Sequence, residues 1–269
     1  MQVGVDVVIT GAKGLLGQAL LATAPAGLRV HGTHREEVDL TCTEAVQAAF
    51  ARWQPRCIFH CAAYTPVDQA EKEPERAYAD NALATWNVAA AAARWDAVMV
   101  YVSTDYVFDG ETSRPYREFD PPRPLSVYGW SKWVGEVLVG QQVRRHFIVR
   151  TSGLFGPGGR HFVGSILERA QRGEPLRVVV DQVCARTYAP DLAQALWTLW
   201  ESPLYGIYHL TNAGASSWFE FAQEVLRRAG FPAERVQPIT TEEWKPLAPR
   251  PRYSVLENFC WRLTGHPPL

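Results

Sequence analysis

Short β-branched runs alternate with helical stretches through the first 150 residues of the chain. Val5–Thr10, Cys57–His60, Ala97–Val102 and Phe147–Arg150 are mainly apolar, which predicts buried strands, and Leu28–Thr33 is read as the second strand of the series. Between them, Gln18–Ala24, Ala45–Trp53, Pro74–Trp95 and the stretch from Tyr128 through Val134, Val137 and Leu138 predict helices. Strand and helix in regular alternation predict an α/β fold, a Rossmann-type doubly wound parallel sheet. Beyond residue 155 the pattern loosens. A helix over Phe162–Arg172, a strand over Leu176–Val180, a helix from Pro190 to Trp200 and a strand over Gly206–Leu210 are expected. Ser217, with Glu220 three residues on, reads as a capping box. The expected organisation is a dinucleotide-binding domain over 1–155, with a return segment near 185–200, and a smaller α/β lobe over 156–269.

The first strand runs straight into Gly11-Ala12-Lys13-Gly14-Leu15-Leu16-Gly17 and then a helix. Strand, glycine loop and helix in that order make a phosphate cradle, because the backbone can come close and the helix N-terminus offers free N–H groups. Gly11, Ala12, Gly14, Leu15, Leu16 and Gly17 are therefore candidate dinucleotide contacts. The second strand ends in Thr33-His34-Arg35, without the carboxylate that would grip a ribose hydroxyl. Arg35 there favours a 2'-phosphate, hence NADPH over NADH. Asp39 and Leu40 follow at the adenine end. Ala62, Ala63 and Tyr64, just past the third strand, are placed along the same crevice, and Asn81 is placed mid-helix, bracing it.

Thr104 stands at the end of the fourth strand, on the functional edge of such a sheet, as a hydrogen-bond partner for a reacting oxygen. Tyr128 and Lys132 are four residues apart, which on a helix puts them on one face. An ammonium beside a phenol favours the phenolate and makes Tyr128 a candidate proton donor or acceptor. Arg160, Arg169, Arg186, Arg250 and Arg252 are candidate anion contacts in the second half.

Composition removes several alternatives. The formal net charge is -1 with no run of one sign, which gives no support to a nucleic-acid or anionic-membrane partner. No apolar stretch reaches the roughly 20 residues that span a bilayer. Five cysteines, an odd number without a Cys-x-x-Cys pair and with no leader-like stretch ahead of them, are expected as reduced thiols in a cytoplasmic protein. Cys57, His60 and Cys61 read as a strand end, and no metal site is expected.

Taken together, Thr10-Gly11-x-x-Gly14-x-x-Gly17, Ser103-Thr104-Asp105 and Tyr128-x-x-x-Lys132 make the chain resemble the extended short-chain dehydrogenase/reductases. Within them it is similar to the dTDP-4-dehydrorhamnose reductase family. The stretches that carry this second resemblance are Ala62–Glu71, Ser103–Gly110, Arg150–Gly156, Gly206–Asn212 and Arg250–Leu256, nearly end to end. The resemblance implies hydride transfer from NADPH or NADH to C4 of a nucleotide-linked 4-keto-6-deoxy sugar. Tyr128 would protonate the alkoxide, Lys132 would hold the nicotinamide ribose, and Thr104 would bind the reacting oxygen. It further implies substrate contacts from Val67, Thr104, Asp105, Tyr106, Gly153 and Phe155, and it is compatible with a homodimer. Many members carry an aromatic residue, usually Trp, where Gly153 stands. The alternatives are a reductase or epimerase of another nucleotide sugar, or a non-catalytic module like the regulatory subunit of methionine adenosyltransferase.

Overall fold

A computed structural model describes residues 4–269, so the first three residues of the 1–155 domain lie outside it. In chain order the first half holds β1 (Val7–Thr10), α1 (Leu15–Ala22), β2 (Val30–Thr33), α2 (Thr43–Trp53), β3 (Cys57–His60), α3 (Val67–Lys72), α4 (Pro74–Tyr78), α5 (Ala84–Arg94), β4 (Val98–Thr104), α6 (Val127–Gln142) and β5 (His146–Thr151). The second half adds β6 (Leu154–Phe155), α7 (Phe162–Gln171), β7 (Leu176–Val179), β8 (Val183–Cys184), β9 (Thr187–Tyr188), α8 (Ala189–Trp200), β10 (Gly206–His209), β11 (Ser216–Ser217), α9 (Trp218–Arg228) and β12 (Val236–Ile239).

Six strands form one parallel sheet in the order β2-β1-β3-β4-β5-β10. The period of two sends alternate side chains to opposite faces. Val7, Ile9, Phe59 and Val100 pack under α1 and α8, while Val8, Ile58, Met99 and Tyr101 pack under α2, α5 and α6. The direction of winding reverses between β1 and β3, which opens a crevice at their carboxyl ends. Those ends are polar: β1, β2, β4 and β5 finish on Thr10, Thr33, Thr104 and Thr151, and β3 finishes on His60.

Several expectations change in detail. Helix α1 begins at Leu15, three residues earlier than its apolar pattern indicates, because Gly14 already accepts the first turn's bond from Gln18 N–H. Strand β4 continues through Ser103 and Thr104, held in register by Arg150 and Thr151 of β5. The single helix expected over Pro74–Trp95 is broken by a π turn over Ala79–Leu83. Such a turn inserts one extra residue and rotates the helix downstream of it, and here it turns Asn81 fully inward.

The strand Gly206–His209, expected in the smaller lobe, is instead the edge of the main sheet beside β5. Its Tyr208 packs on Phe147, and α8 lies on α1 with Trp197 Nε1 donating to Leu20 O at 3.3 Å. A strand needs a ladder partner, and β5, without β10, would leave its outer edge unpaired. The lobe itself keeps the parallel pair β7–β12 under α7 and α9, with its own core of Ile166, Leu176, Val178, Ala222, Leu226 and Val236. Ser217 and Glu220 form the expected capping box at the start of α9. Among the described residues no helix is long and apolar enough to cross a membrane.

Candidate active site

The glycine loop is shaped by contacts that allow no side chain. A Cβ on Gly17 would fall 2.4 Å from Gly11 O, and one on Gly11, at φ +70°, would fall 2.7 Å from Ala62 N. The loop therefore closes tightly on α1 and on the turn after β3. It opens a cleft of about 820 Å³ whose wall includes Gly11, Gly14, Leu15, Leu16 and Gly17. No acidic residue occupies the first turn of α1, so its amide end faces the cleft uncompensated. Arg35, Asp39 and Leu40 line the same cleft. Arg35 is held there by Asp80, Nη1 to Oδ2 at 3.2 Å, and stays well exposed. The hydroxyl and amide of Thr41 both donate to the Asp39 carboxylate, which keeps it below its ordinary value.

At the other end of the cleft α6 begins. Ser126 caps it, accepting from Gly129 N at 3.1 Å, so Tyr128 falls in the first turn and Lys132 one turn below. Both line the cleft with Thr104, Ala62 and Ala63. Lys132 is buried, donates to Val102 O at 2.8 Å and lies 4.1 Å above the Tyr101 ring. Burial pushes its ammonium down to about 7, against the pull of Glu136. The expectation that Lys132 lowers the phenol's pKa does not hold here. Tyr128 is pushed up to about 12, because the protein around its hydroxyl strips it of water, and only Thr104 pulls the other way. The lysine is committed to the backbone of β4, and desolvation wins.

Thr104 donates to Asp105 Oδ1 at 3.1 Å and accepts from Tyr106 N at 3.2 Å. Asp105 also accepts from Ser152 at 2.9 Å and Ser254 at 2.5 Å, and burial raises its carboxyl above the ordinary range. Thr104, Asp105, Ser152 and Gly153 make one polar wall beside Tyr128.

A buried chain of hydrogen bonds joins the two ends of the cleft. Thr85 spends its proton on Asn81 O at 2.7 Å, so it accepts from His60 Nε2 at 3.0 Å. His60 Nδ1 then accepts from Thr10 at 2.7 Å, and Thr10 accepts from the Ala62 amide at 3.3 Å. The direction of every bond fixes the tautomer. Asn81 goes on to clamp both backbone groups of Tyr64, at 2.7 and 3.0 Å, and donates to Ser131 at 2.9 Å; Ser131 donates to Tyr128 O at 2.8 Å. Both ring nitrogens of His60 are thus occupied, and the ring is held neutral, with burial pushing it down to about 3. Among the described residues no group of three His, Cys, Asp or Glu could hold a metal.

Some residues expected at the cleft stand behind its wall. Ala12 is buried, its amide on Thr33 O. Tyr64 sends its hydroxyl to Glu73 at 2.6 Å, and Asn81 supports it from inside. Val67 starts α3, Tyr106 packs edge-on against Tyr128, and Phe155 packs against Tyr188 and Phe221. Conversely, Lys13, Thr151 and Ser152 line the cleft although sequence reasoning gave them no contact with cofactor or sugar. Lys13 sits inside the glycine loop and Ser152 one residue past a strand end, which are the signals that mark them. Of the five candidate arginines, Arg160 lines the cleft, whereas Arg169 pairs with Glu174 and Arg250 with Asp68, so both of these are satisfied within the protein.

The profile of the RmlD substrate binding domain family matches residues 5–269. The chain belongs to this family. It is 40% identical over 253 residues to the spore coat polysaccharide biosynthesis protein SpsK of Bacillus subtilis, covering 94% of this chain and 89% of that one. It is 39% identical over 268 residues to a dTDP-4-dehydrorhamnose reductase of Streptomyces griseus, covering 97% and 88%. A crystal structure of the Bacillus anthracis dTDP-4-dehydrorhamnose reductase in complex with NADP superposes with a TM-score of 0.96 at 40% identity, over 99% of this chain and 95% of that one. Membership in the family extends through both the sheet and the smaller lobe.

The burial of Lys132 has a measurable consequence. Its pKa is 10.5 before folding and about 7 after, so between those values the unfolded chain holds the extra proton. The destabilisation from burying the ammonium is complete below about pH 7 and fades as pH rises toward 10.5. Lys132→Met should therefore be more stable than the wild type at pH 6.5, with the gap closing by pH 10 in urea titrations. A gap that does not change with pH would show that the ammonium is not destabilised by burial.

Proposed function

We propose that the protein is an NADPH-dependent reductase of the C4 ketone of dTDP-4-dehydro-L-rhamnose, giving dTDP-L-rhamnose. The observation that carries this reading is the meeting of Thr104, Tyr128 and Lys132 on the cleft whose far end is the glycine loop. The chain's relatives supply the reaction class: the reductases of Streptomyces griseus and Bacillus anthracis act on this kind of substrate by name, and the second was solved with NADP.

The cleft suits a dinucleotide. The closed glycine loop, the uncompensated amide end of α1 and the cations Lys13 and Arg35 would receive its phosphates. Bound nicotinamide supplies the hydride. Lys132 would hold the ribose hydroxyls, and Ala62 and Ala63 would give way to the ring. Thr104 and Tyr128 would hold the ketone oxygen between two hydroxyls, and the Tyr128 phenol, protonated at neutral pH, would donate to it as negative charge develops. With burial holding its pKa up at about 12, the phenol enters the reaction protonated, the state a proton donor needs. Asp105, held by Ser152 and Ser254, would orient Thr104.

Oxidation of NADPH followed by absorbance, with dTDP-4-keto-6-deoxyglucose and a 3,5-epimerase supplying the sugar, tests the reading. Substrate-dependent oxidation is expected. Tight cofactor binding without oxidation would instead make the protein a binding module. The 2'-phosphate assignment has its own test: Arg35→Ala should raise KM for NADPH about tenfold and leave KM for NADH within twofold, as the loss of one charged hydrogen-bonding group predicts. Equal losses for the two cofactors would remove Arg35 from that role.

A further inference from the structure

Arg186 is the arginine of the second half whose burial is hardest to explain from the protein alone. It lies between β8 and β9 and is only 9% exposed. Nη1 donates to Cys184 Sγ and Nη2 to Ser216 O at 3.1 Å, but the buried Nε has no partner. Its flat face is stacked on Trp218, 3.9 Å from the ring centre, and lies 4.9 Å from Phe221. Among the described residues no carboxylate pairs with it. Glu220 feels its charge, yet that carboxylate is spent on the amide and hydroxyl of Ser217, at 2.8 and 2.9 Å. Aromatic stacking and two neutral acceptors offset part of the desolvation of a guanidinium, not all of it.

What stands between this charge and the cleft is a glycine. Gly153 lines the cleft beside Ser152 and Leu154 and sits at φ +53°, where a side chain is strained. A Cβ there would meet Ala185 O at 2.7 Å, Arg186 Cδ at 3.1 Å and Arg186 Nη1 at 3.2 Å. The position is bare because the arginine fills the space behind it. The wall beside Tyr128 therefore carries a cation screened by one backbone unit, where a larger residue would carry an apolar face.

We propose that Arg186 is a specificity-determining residue that receives an oxygen acceptor of the nucleotide sugar across Gly153. This deepens the reductase reading and rests on it for the identity of the ligand. Two oxygens have the required chemistry: a phosphoryl oxygen of the diphosphate and a hydroxyl oxygen of the sugar ring. Gly153 follows Ser152, which shares Asp105 with Thr104, whereas the dinucleotide's phosphates belong at the glycine loop, so the contact is assigned to the substrate and not to those phosphates.

The test compares Arg186→Met with wild type in three measurements: KM for the dTDP-keto sugar, KM for NADPH, and Kd for dTDP alone by calorimetry. We expect the sugar KM to rise about tenfold, the effect of losing a buried charge that acts across one backbone unit of the wall, with NADPH within twofold. If dTDP binding weakens by the same factor, the acceptor is the diphosphate. If dTDP binding is unchanged, the acceptor is a sugar hydroxyl, and Arg186→Lys, which keeps the charge, should recover part of the loss. Unchanged sugar KM and unchanged dTDP affinity overturn the proposal. Equal weakening of sugar and NADPH also overturns it, since Arg186 would then be a support of the lobe. A wild-type protein that binds dTDP in an Arg186-dependent way yet oxidises no NADPH would overturn the reductase reading while leaving the Arg186 contact standing.

Discussion

Tyr128→Phe should lower kcat by about a thousandfold while leaving the Kd for NADP within twofold, a loss in the upper part of what positioned proton transfer contributes. The substitution removes one oxygen and keeps the ring. The edge contact with Tyr106 at 5.8 Å and the helix start capped by Ser126 are untouched, so the cleft keeps its shape. What disappears is the phenol at the junction of Thr104 and Lys132. Thr104 cannot take over, because an aliphatic hydroxyl holds its proton far more tightly than a phenol and can only hydrogen-bond the developing charge. Turnover close to wild type in stopped-flow measurements of NADPH oxidation would remove Tyr128 from proton donation and direct attention to a water held by Thr104.

The largest effect on stability is expected at Glu136. Arg150 is 1% exposed and receives Glu136 in a fork, Nη2 to Oε2 at 2.7 Å and Nε to Oε1 at 3.0 Å. Glu136 Oε1 also accepts from Ser103 at 2.5 Å, on the cleft strand. Glu136→Leu leaves a buried guanidinium with, among the described residues, Glu118 O at 3.3 Å and the Phe108 ring, and should cost about 3–5 kcal/mol in urea unfolding. The double variant Glu136→Leu/Arg150→Met removes both charges and should recover most of that loss. A single-variant loss below about 1 kcal/mol would mean that water or a rearranged Glu118 satisfies the arginine.

Local signals were the legible ones. Cys57–His60 reads as a strand because four consecutive residues are buried on both sides, and Ser217 with Glu220 reads as a cap because both partners lie within one turn. The glycine loop was legible because its constraint, backbone against backbone, can be met by one residue type only. The Tyr128 and Lys132 spacing gave their shared face but not their charge state. That depends on Val102 O and the Tyr101 ring, which arrive from a strand some thirty residues away. The π turn at Asn81 was hidden because the helix it interrupts is rich in alanine, and few large apolar residues there mark the phase that an inserted residue shifts. The edge position of β10 was hidden for a related reason: pairing partners are a property of the sheet. Arg186 shows the same limit, because its significance lies in the absence of a carboxylate from Cys184, Ser216, Trp218 and Gly153 around it.

The His60 ring, locked as its Nε2–H form between Thr10 and Thr85, has a spectroscopic meaning. Most histidines in solution average two tautomers and a charged form, and their nitrogen resonances drift with acidity. Burial holds this one neutral down to about pH 3, so its two nitrogens should give separate shifts that do not move with acidity above that point. Because the Ala62 amide hangs from one end of the chain and Asn81 from the other, that pair of signals is a built-in gauge of whether the two halves of the cleft are still in register.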